Sequence, residues 1–116
     1  MAVFAWGRTI VVECKMMRVV IFDMVGNVLS KFSCSRHLEF PNGVTVNDQS
    51  EIFISDNRVP CVKVFDYQGN YLRQIGGEGV SNFPSESGLT LNGNVAIAEN
   101  HNNFNLTVFS QAGQIL

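Results

Sequence analysis

Residues 51–76, EIFISDNRVPCVKVFDYQGNYLRQIG, are typical of three short β-strands separated by two turns. The runs EIFIS, CVKVF and YLRQI are rich in β-branched and aromatic residues, whereas DNRVP and DYQG hold the Asn, Asp, Pro and Gly that turns require. The strand runs are apolar on both faces, which predicts a sheet covered on both sides. Together with GVTVN just upstream, the stretch predicts a unit of four antiparallel strands.

The landmarks of this unit recur along the chain with a period of 43 or 44 residues. Phe22-Asp23 returns as Phe65-Asp66 and then as Phe109-Ser110, and Phe40-Pro41 returns as Phe83-Pro84. Four further positions keep the same spacing in all three units: Gly26, Gly69 and Gly113; Leu29, Leu72 and Leu116; Val11, Ile54 and Ile97; Glu13, Asp56 and Glu99. Agreement at so many positions indicates a true internal repeat.

A repeat of about 40–45 residues with four strands per unit is typical of a β-propeller blade. The sequence therefore predicts an all-β, partial β-propeller of four-stranded antiparallel blades. The single domain, 1–116, would contain blades at roughly 1–36, 37–79 and 80–116. That is about 2.7 blades, fewer than the four to eight that close a ring, so we expect a fragment of a larger ring. Only the second blade is expected to be complete, because MAVFAW does not match the first-strand pattern GVTVN.

The composition limits the compartment more than it limits the function. A net charge of −2 makes no argument by itself for a nucleic-acid or membrane partner. Cys14, Cys34 and Cys61 form no C-x-x-C pair, which favours reduced thiols in the cytosol. The opening MAVFAWG is too short for a signal peptide or a membrane span. We therefore expect a cytoplasmic protein with no membrane partner.

Successive connections in an antiparallel meander lie at opposite ends of the sheet, which sorts the loops into two faces. One face would carry the loops between second and third strands together with the loops between blades. It collects cations, aromatic rings and amides, the groups that single-stranded RNA recognition needs: Lys15, Arg36, His37, Phe40, Asn57, Arg58, Phe83, Asn100, His101 and Asn102. A formal count of charges does not make this face basic. The opposite face would carry short turns that are acidic in the first two blades.

The periodic acids Glu13, Asp56 and Glu99 also map to the face that carries these cations, aromatic rings and amides. We expect them to be structural, with carboxylates that accept hydrogen bonds from the amides of the following loop. Their charge would then be partly absorbed locally, which leaves the cations free for a ligand.

Several motifs resemble the NHL repeat, namely FPNGVTVND, IFISDNR and VKVFD. The longer stretches RTIVVECKMMRVVIFD, CSRHLEFPNGVTVND and ENHNNFNLTVF are similar to successive blades of the Brat (brain tumor) class of TRIM-NHL proteins, over about residues 7–116. The resemblance implies a six-bladed ring in a longer chain that carries B-box zinc fingers and a coiled coil. It also implies a cytoplasmic translational repressor whose propeller binds uridine-rich, single-stranded motifs in the 3′ untranslated regions of messenger RNA.

The resemblance, together with the predicted face, gives the candidate RNA-binding residues. Phe40 would stack on bases, Lys15 and Arg58 would pair with phosphates or base edges, and Cys14 would contribute backbone contacts. The base-reading side chains would be Asn57, Asn100 and His101. Each has a plain alternative: Phe40 as a ring wedged between blades, Lys15 and Arg58 as solvated charges, Asn57 and Asn100 as turn residues. No metal site is predicted around His101, because no cysteine or histidine lies at ligand spacing.

Two other functions stay open at this point. A propeller can instead be a protein-interaction or substrate-docking domain of a TRIM-type ubiquitin ligase, with partners on the Asp23 and Asp66 face. It can also be a metal-dependent hydrolase with ligands in a central channel, a role that Asn57, Glu99 and Asn100 could imitate. The chain shows no paired histidines and no nucleophile with a base in reach, so we predict no enzyme, no catalytic residue and no cofactor. No DNA partner is expected.

Overall fold

The computed structural model describes residues 2–56 and 61–75, and beyond them the backbone of three strands. All of its elements are β-strands: β1 Ala2–Ala5, β2 Arg8–Glu13, β3 Arg18–Phe22, β4 Val28–Ser33, β5 Pro41–Val46, β6 Glu51–Asp56, β7 Cys61–Asp66, β8 Tyr71–Ile75, β9 Pro84–Leu89, β10 Val95–Glu99 and β11 Asn105–Phe109. Within those ranges no helix is long and apolar enough to cross a membrane.

The strands form three separate antiparallel sheets. β1 to β4 make the first sheet in sequence order, β5 to β8 make the second, and β9 to β11 make the described part of the third. Each strand pairs with its neighbour in the chain, as in an up-and-down meander. The first strand β5 of the second sheet contacts β1 and β9, so the first strands of successive sheets lie side by side. The predicted all-β, propeller-type architecture is confirmed.

The prediction that the first sheet lacks a regular first strand is wrong. β1 pairs with β2 in the register Ala2↔Val11 to Ala5↔Arg8, which leaves a two-residue turn at Trp6-Gly7. Both turn residues have positive φ, 56° and 72°, as a type I′ hairpin requires. The sequence pattern misled because MAVFAW lacks the GVTVN pattern, whereas the strand needs only paired backbone groups and the packing of Val3 and Ala5 against the core.

The hydrophobic core lies between the sheets and not within one of them. One cluster joins Ile10, Val12, Val19 and Ile21 of the first sheet to Val46, Ile52, Ile54 and Phe65 of the second, with Cys34 and Leu38 from the connecting segment. A second cluster covers the opposite side of the second sheet and contains Phe53, Val62, Val64 and Ile75. The central strand β6 is therefore buried on both faces, as its unbroken apolar run predicts.

The outer strands have a different burial pattern because one edge faces solvent. β4 alternates between exposed and half-buried residues, and β8 is mostly exposed until Ile75. A salt bridge ties β8 back to β6: the Arg73 guanidinium donates to both carboxylate oxygens of Glu51, at 2.9 and 3.1 Å. The same guanidinium lies 5.7 Å above the ring of Phe53. The Arg73 contact holds the pKa of Glu51 below its usual range.

Candidate nucleic-acid interface

Two loops of the described chain meet at one end of the sheets, and we call this end the loop face. It consists of residues 14–17, between β2 and β3, and residues 34–40, which connect the first sheet to the second. The backbone N–H of Cys34 donates to the carbonyl of Met17 at 2.9 Å, and the Cys14 thiol donates to the carbonyl of Pro41 at 3.4 Å. The predicted meeting of these two kinds of loop at one face is therefore observed.

A buried carboxylate fixes the end of the 34–40 loop. Asp56, at the end of β6, is fully buried. Its Oδ2 accepts a hydrogen bond from the backbone N–H of Glu39 at 2.8 Å, and its Oδ1 accepts one from that of Phe40 at 3.2 Å. The carboxylate thus receives both of the amides that precede the first strand of its own sheet, and its negative charge is compensated within the fold.

The ring of Phe40 projects from this anchored backbone. Its side chain is 60% exposed, so the alternative of a ring wedged between blades does not hold. The next residue, Pro41, is buried and begins β5. An aromatic ring that stays in solvent on a fixed backbone is available as a stacking surface.

The exposed cations of the loop face lie in the same two loops as Phe40 and Cys14. Lys15 is exposed and directly follows Cys14, the residue whose thiol reaches the carbonyl next to Phe40. Arg36, in the same loop as Phe40, is also exposed. Within residues 2–56 and 61–75, neither cation forms a salt bridge. Four of the predicted RNA-binding residues, Asn57, Arg58, Asn100 and His101, lie outside the described residues.

His37 does not belong with the free cations and rings of the loop face. Its imidazole stacks on the ring of Tyr71 with centroids 4.4 Å apart, and it meets Phe65 edge-on at 5.7 Å. Its carbonyl accepts a hydrogen bond from the Lys63 ammonium at 2.6 Å. His37 therefore fastens the middle of the 34–40 loop to the second sheet, where one side of its ring is covered by Tyr71.

The periodic acids use two different partners. Asp56 is structural, as predicted, but its observed amide donors come from the loop that precedes its sheet. Glu13 instead accepts from the Arg18 guanidinium at 3.1 Å, in a half-exposed salt bridge. The side chain of Glu99 is outside the described residues.

The opposite end of the sheets, which we call the turn face, carries the turns at residues 6–7, 23–27, 47–50 and 66–70. In the second of these, Asp23 accepts from the backbone N–H of Val25 and Asn27, at 3.0 and 2.9 Å. Asp66 repeats the arrangement with Gln68 and Asn70. Hydrogen bonds to Asn27 lower the pKa of Asp23. These two carboxylates are thus engaged as acceptors in their own turns.

The turn face of the first sheet also exposes apolar side chains that sequence reasoning missed. Trp6, Met24 and Val25 are 64%, 75% and 82% exposed. Met24 lies against Gly7, because a Cβ built on that glycine would be 3.8 Å from the Met24 sulfur. The signal was present in the sequence as the unusual hairpin residues Trp and Met-Val, but only the pairing of β1 with β2 brings them together.

Two of the three cysteines, Cys34 and Cys61, are buried beside the loop face. Burial raises the pKa of Cys34 and of Cys61 to about 11, so both stay protonated and pack as small apolar groups. Cys14 is exposed. No group of three acidic, histidine or cysteine side chains with metal-binding geometry occurs in the part of the chain that the structure describes.

Solved structures share the fold at low sequence identity. A catalytically inactive variant of virginiamycin B lyase from Staphylococcus aureus, solved with quinupristin, is 14% identical and superposes with a TM-score of 0.79 over 99% of this chain and 39% of its own. A protein of unknown function from Bacteroides caccae is 17% identical, with a TM-score of 0.74 over 99% of this chain and 43% of its own. At this identity the likeness shows the fold alone.

Curated relatives show a much higher identity over a short segment. The B-box type zinc finger protein ncl-1 of Caenorhabditis elegans is 79% identical over 33 residues, which are 28% of this chain and 4% of the worm protein. Protein brain tumor of Drosophila melanogaster is 76% identical over 33 residues, 28% of this chain and 3% of the fly protein. No family model matches the chain. In its fold and in this segment, the chain is similar to the NHL-repeat β-propellers of the Brat class of TRIM-NHL proteins.

Proposed function

We propose that the loop face binds single-stranded, uridine-rich RNA, and that the protein represses translation of messenger RNAs in the cytoplasm. The observation that carries the proposal is that an exposed aromatic ring, Phe40, and an exposed cation, Lys15, lie in two loops joined by the hydrogen bond from Cys14 to Pro41. A ring on which a base can stack and a nearby cation for the phosphate are the two parts that single-strand binding requires.

Two acidic residues at the loop face are engaged within the fold, whereas Glu39 is exposed beside Phe40 in the chain. Asp56 is buried and holds two loop amides, and Glu13 is paired with Arg18. Lys15 and Arg36 are the exposed cations of the two described loops, and they would supply the phosphate contacts. The resemblance to protein brain tumor adds the expectation of a messenger RNA target, and it adds Asn57, Arg58, Asn100 and His101 as further contacts.

The test is affinity for a uridine-rich single-stranded RNA, measured by fluorescence anisotropy with the full protein. Phe40→Ala removes the stacking surface and is expected to weaken binding by about tenfold, in the range of base–aromatic stacking energies. Lys15→Ala is expected to weaken binding less and to reduce the salt dependence of the affinity by about one phosphate contact.

Matched control variants away from the loop face distinguish a specific RNA site from a general effect of losing an aromatic ring or a positive charge. Trp6→Asn removes an aromatic ring of similar exposure from the turn face, and Lys31→Ala removes an exposed lysine from the outer strand β4. Both are expected to leave RNA affinity unchanged. Equal affinity of the parent protein, the F40A variant and the K15A variant would contradict the assignment of this site.

A second candidate function, binding of a protein partner, is favoured by the apolar cluster on the turn face. Trp6, Met24 and Val25 expose large side chains with no role in the core. A partner bound there would be retained after ribonuclease treatment and lost in a Trp6→Asn variant, while F40A would retain it. Loss of the same partner on ribonuclease treatment would assign it to the RNA instead.

A further inference from the structure

We infer that Asp56 is a positioning residue for the RNA site: its buried carboxylate fixes the backbone from which the Phe40 ring projects. The inference rests on the function proposed above and adds a residue that no base or phosphate would touch. Asp56 acts directly on the residue that carries the ring, because one of its two hydrogen-bond donors is the backbone N–H of Phe40.

The contact is specific in geometry. Each carboxylate oxygen accepts a different amide, Glu39 on Oδ2 and Phe40 on Oδ1, so two successive peptide units are held at once. Asp56 has no exposed surface, and hydrogen bonds to a buried charge are among the stronger ones in a fold. The backbone position of Phe40 is therefore set from inside the blade, while its ring stays in solvent.

Other contacts hold the same loop at its earlier residues. The Lys63 ammonium donates to the carbonyl of His37, and Leu38 is buried in the cluster between the sheets. The loop is thus anchored at its start, middle and end by the two blades that it connects. A ligand that stacks on Phe40 meets a loop backbone already in place, so less backbone conformational entropy is lost on binding.

The experiment is a double-mutant cycle between Asp56 and Phe40, with RNA affinity as one readout and amide hydrogen exchange as the other. Asp56→Asn keeps the shape of the side chain but replaces one acceptor with a donor. We expect it to weaken RNA binding by about fivefold in the parent protein and by less than about twofold in the F40A background, a coupling typical of residues in one network. Exchange at the amides of Glu39 and Phe40 should accelerate by at least about tenfold.

The matched control is Asp66→Asn. Asp66 also accepts from two backbone amides, those of Gln68 and Asn70, but it lies on the turn face. It is expected to accelerate exchange in its own turn and to leave RNA affinity unchanged. Should the D56N variant fail to fold, Lys63→Met tests the same loop by removing the half-buried ammonium that donates to the carbonyl of His37. The loss of RNA affinity is again expected to be smaller in the F40A background.

The outcomes are distinguishable. An equal loss of affinity in both backgrounds would show a general structural effect and overturn the inference, as would accelerated exchange with unchanged affinity. If the parent protein itself binds no RNA, the proposed function fails before any variant is compared, and the exchange data then show Asp56 as a loop anchor alone. A loss confined to the background that retains Phe40 supports the inference.

Discussion

At the scale of residues, the repeat lets one position be compared with its equivalent in the next blade. Glu13 and Asp56 occupy the same place in β2 and β6, yet one pairs with an arginine and the other holds a loop. The residue across the strand pair explains part of the difference: Glu13 faces Arg18, whereas Asp56 faces Cys61. A shared position in a repeat thus predicts a shared backbone and not a shared partner.

The turn glycines Gly26 and Gly69 offer a matched pair for a stability prediction. Both have φ near 94°, where an L side chain is strained. A Cβ on Gly26 would meet no atom within 4 Å, whereas one on Gly69 would lie 2.6 Å from Cγ of Phe32 in the preceding sheet. We expect Gly26→Ala to lower the free energy of unfolding by about 1 kcal/mol and Gly69→Ala to lower it by about 3 kcal/mol, because the second adds overpacking to strain.

Urea denaturation followed by circular dichroism measures both glycine variants under the same conditions. Equal destabilisation by the two would show that the blades are too loosely packed at this point for the Phe32 contact to matter. A Phe32→Ala background should reduce the difference between G69A and G26A, because it removes the ring atoms that the new methyl group meets.

At the scale of elements, the strands follow local chemistry and the turns follow backbone conformation. The D-x-x-G-N turns at residues 23–27 and 66–70 repeat the same aspartate hydrogen bonds, so the turn chemistry is written in the sequence. The β1–β2 hairpin also closes with a tight turn, in which Trp6 and Gly7 both have positive φ. Its conformation is determined by the pairing of two strands and not by a favourable turn sequence.

This hairpin predicts a stabilising substitution. Asn adopts positive φ with little cost and is preferred at the first position of a type I′ turn. Trp6 is largely exposed, so little burial is lost. Trp6→Asn is therefore expected to raise the free energy of unfolding by about 0.5 kcal/mol, the scale of strain relief at one residue. Thermal unfolding measures it, and Trp6→Ala, which keeps the unfavourable φ, should not stabilise; stabilisation by both would assign the effect to the lost indole instead.

At the scale of the whole molecule, much of the stability comes from side chains that pack between neighbouring blades. The main cluster takes side chains from the first sheet, the second sheet and the segment that connects them. Contacts at the outer rim continue the joint: the Ser30 hydroxyl donates to the carbonyl of Tyr67 at 2.6 Å, and the rings of Phe32 and Phe65 lie 5.9 Å apart. The two blades are therefore expected to unfold together.

Leu38 tests this joint, since it belongs to neither sheet and is only 2% exposed. Leu38→Ala is expected to lower the free energy of unfolding by about 3 kcal/mol, in the range for a buried leucine. Amide protection should fall in β3 and in β7 to the same extent. Leu29→Ala, at a site 49% exposed, is the control and should cost less than about 1 kcal/mol. Loss of protection in one sheet alone would show that the blades unfold independently.

The sequence by itself determined the elements of this protein, because the information for them is local. Apolar runs on both faces, the 43-residue spacing and the turn residues predicted β2 to β4 and β5 to β8, and the meander placed the loops at 14–17 and 34–40 on one face. The tertiary structure alone decided what those loops present. It left Phe40 in solvent, stacked His37 on Tyr71 and turned Asp56 toward Glu39 and Phe40. The last two contacts join groups 16 to 34 residues apart, which only the folded second blade brings together.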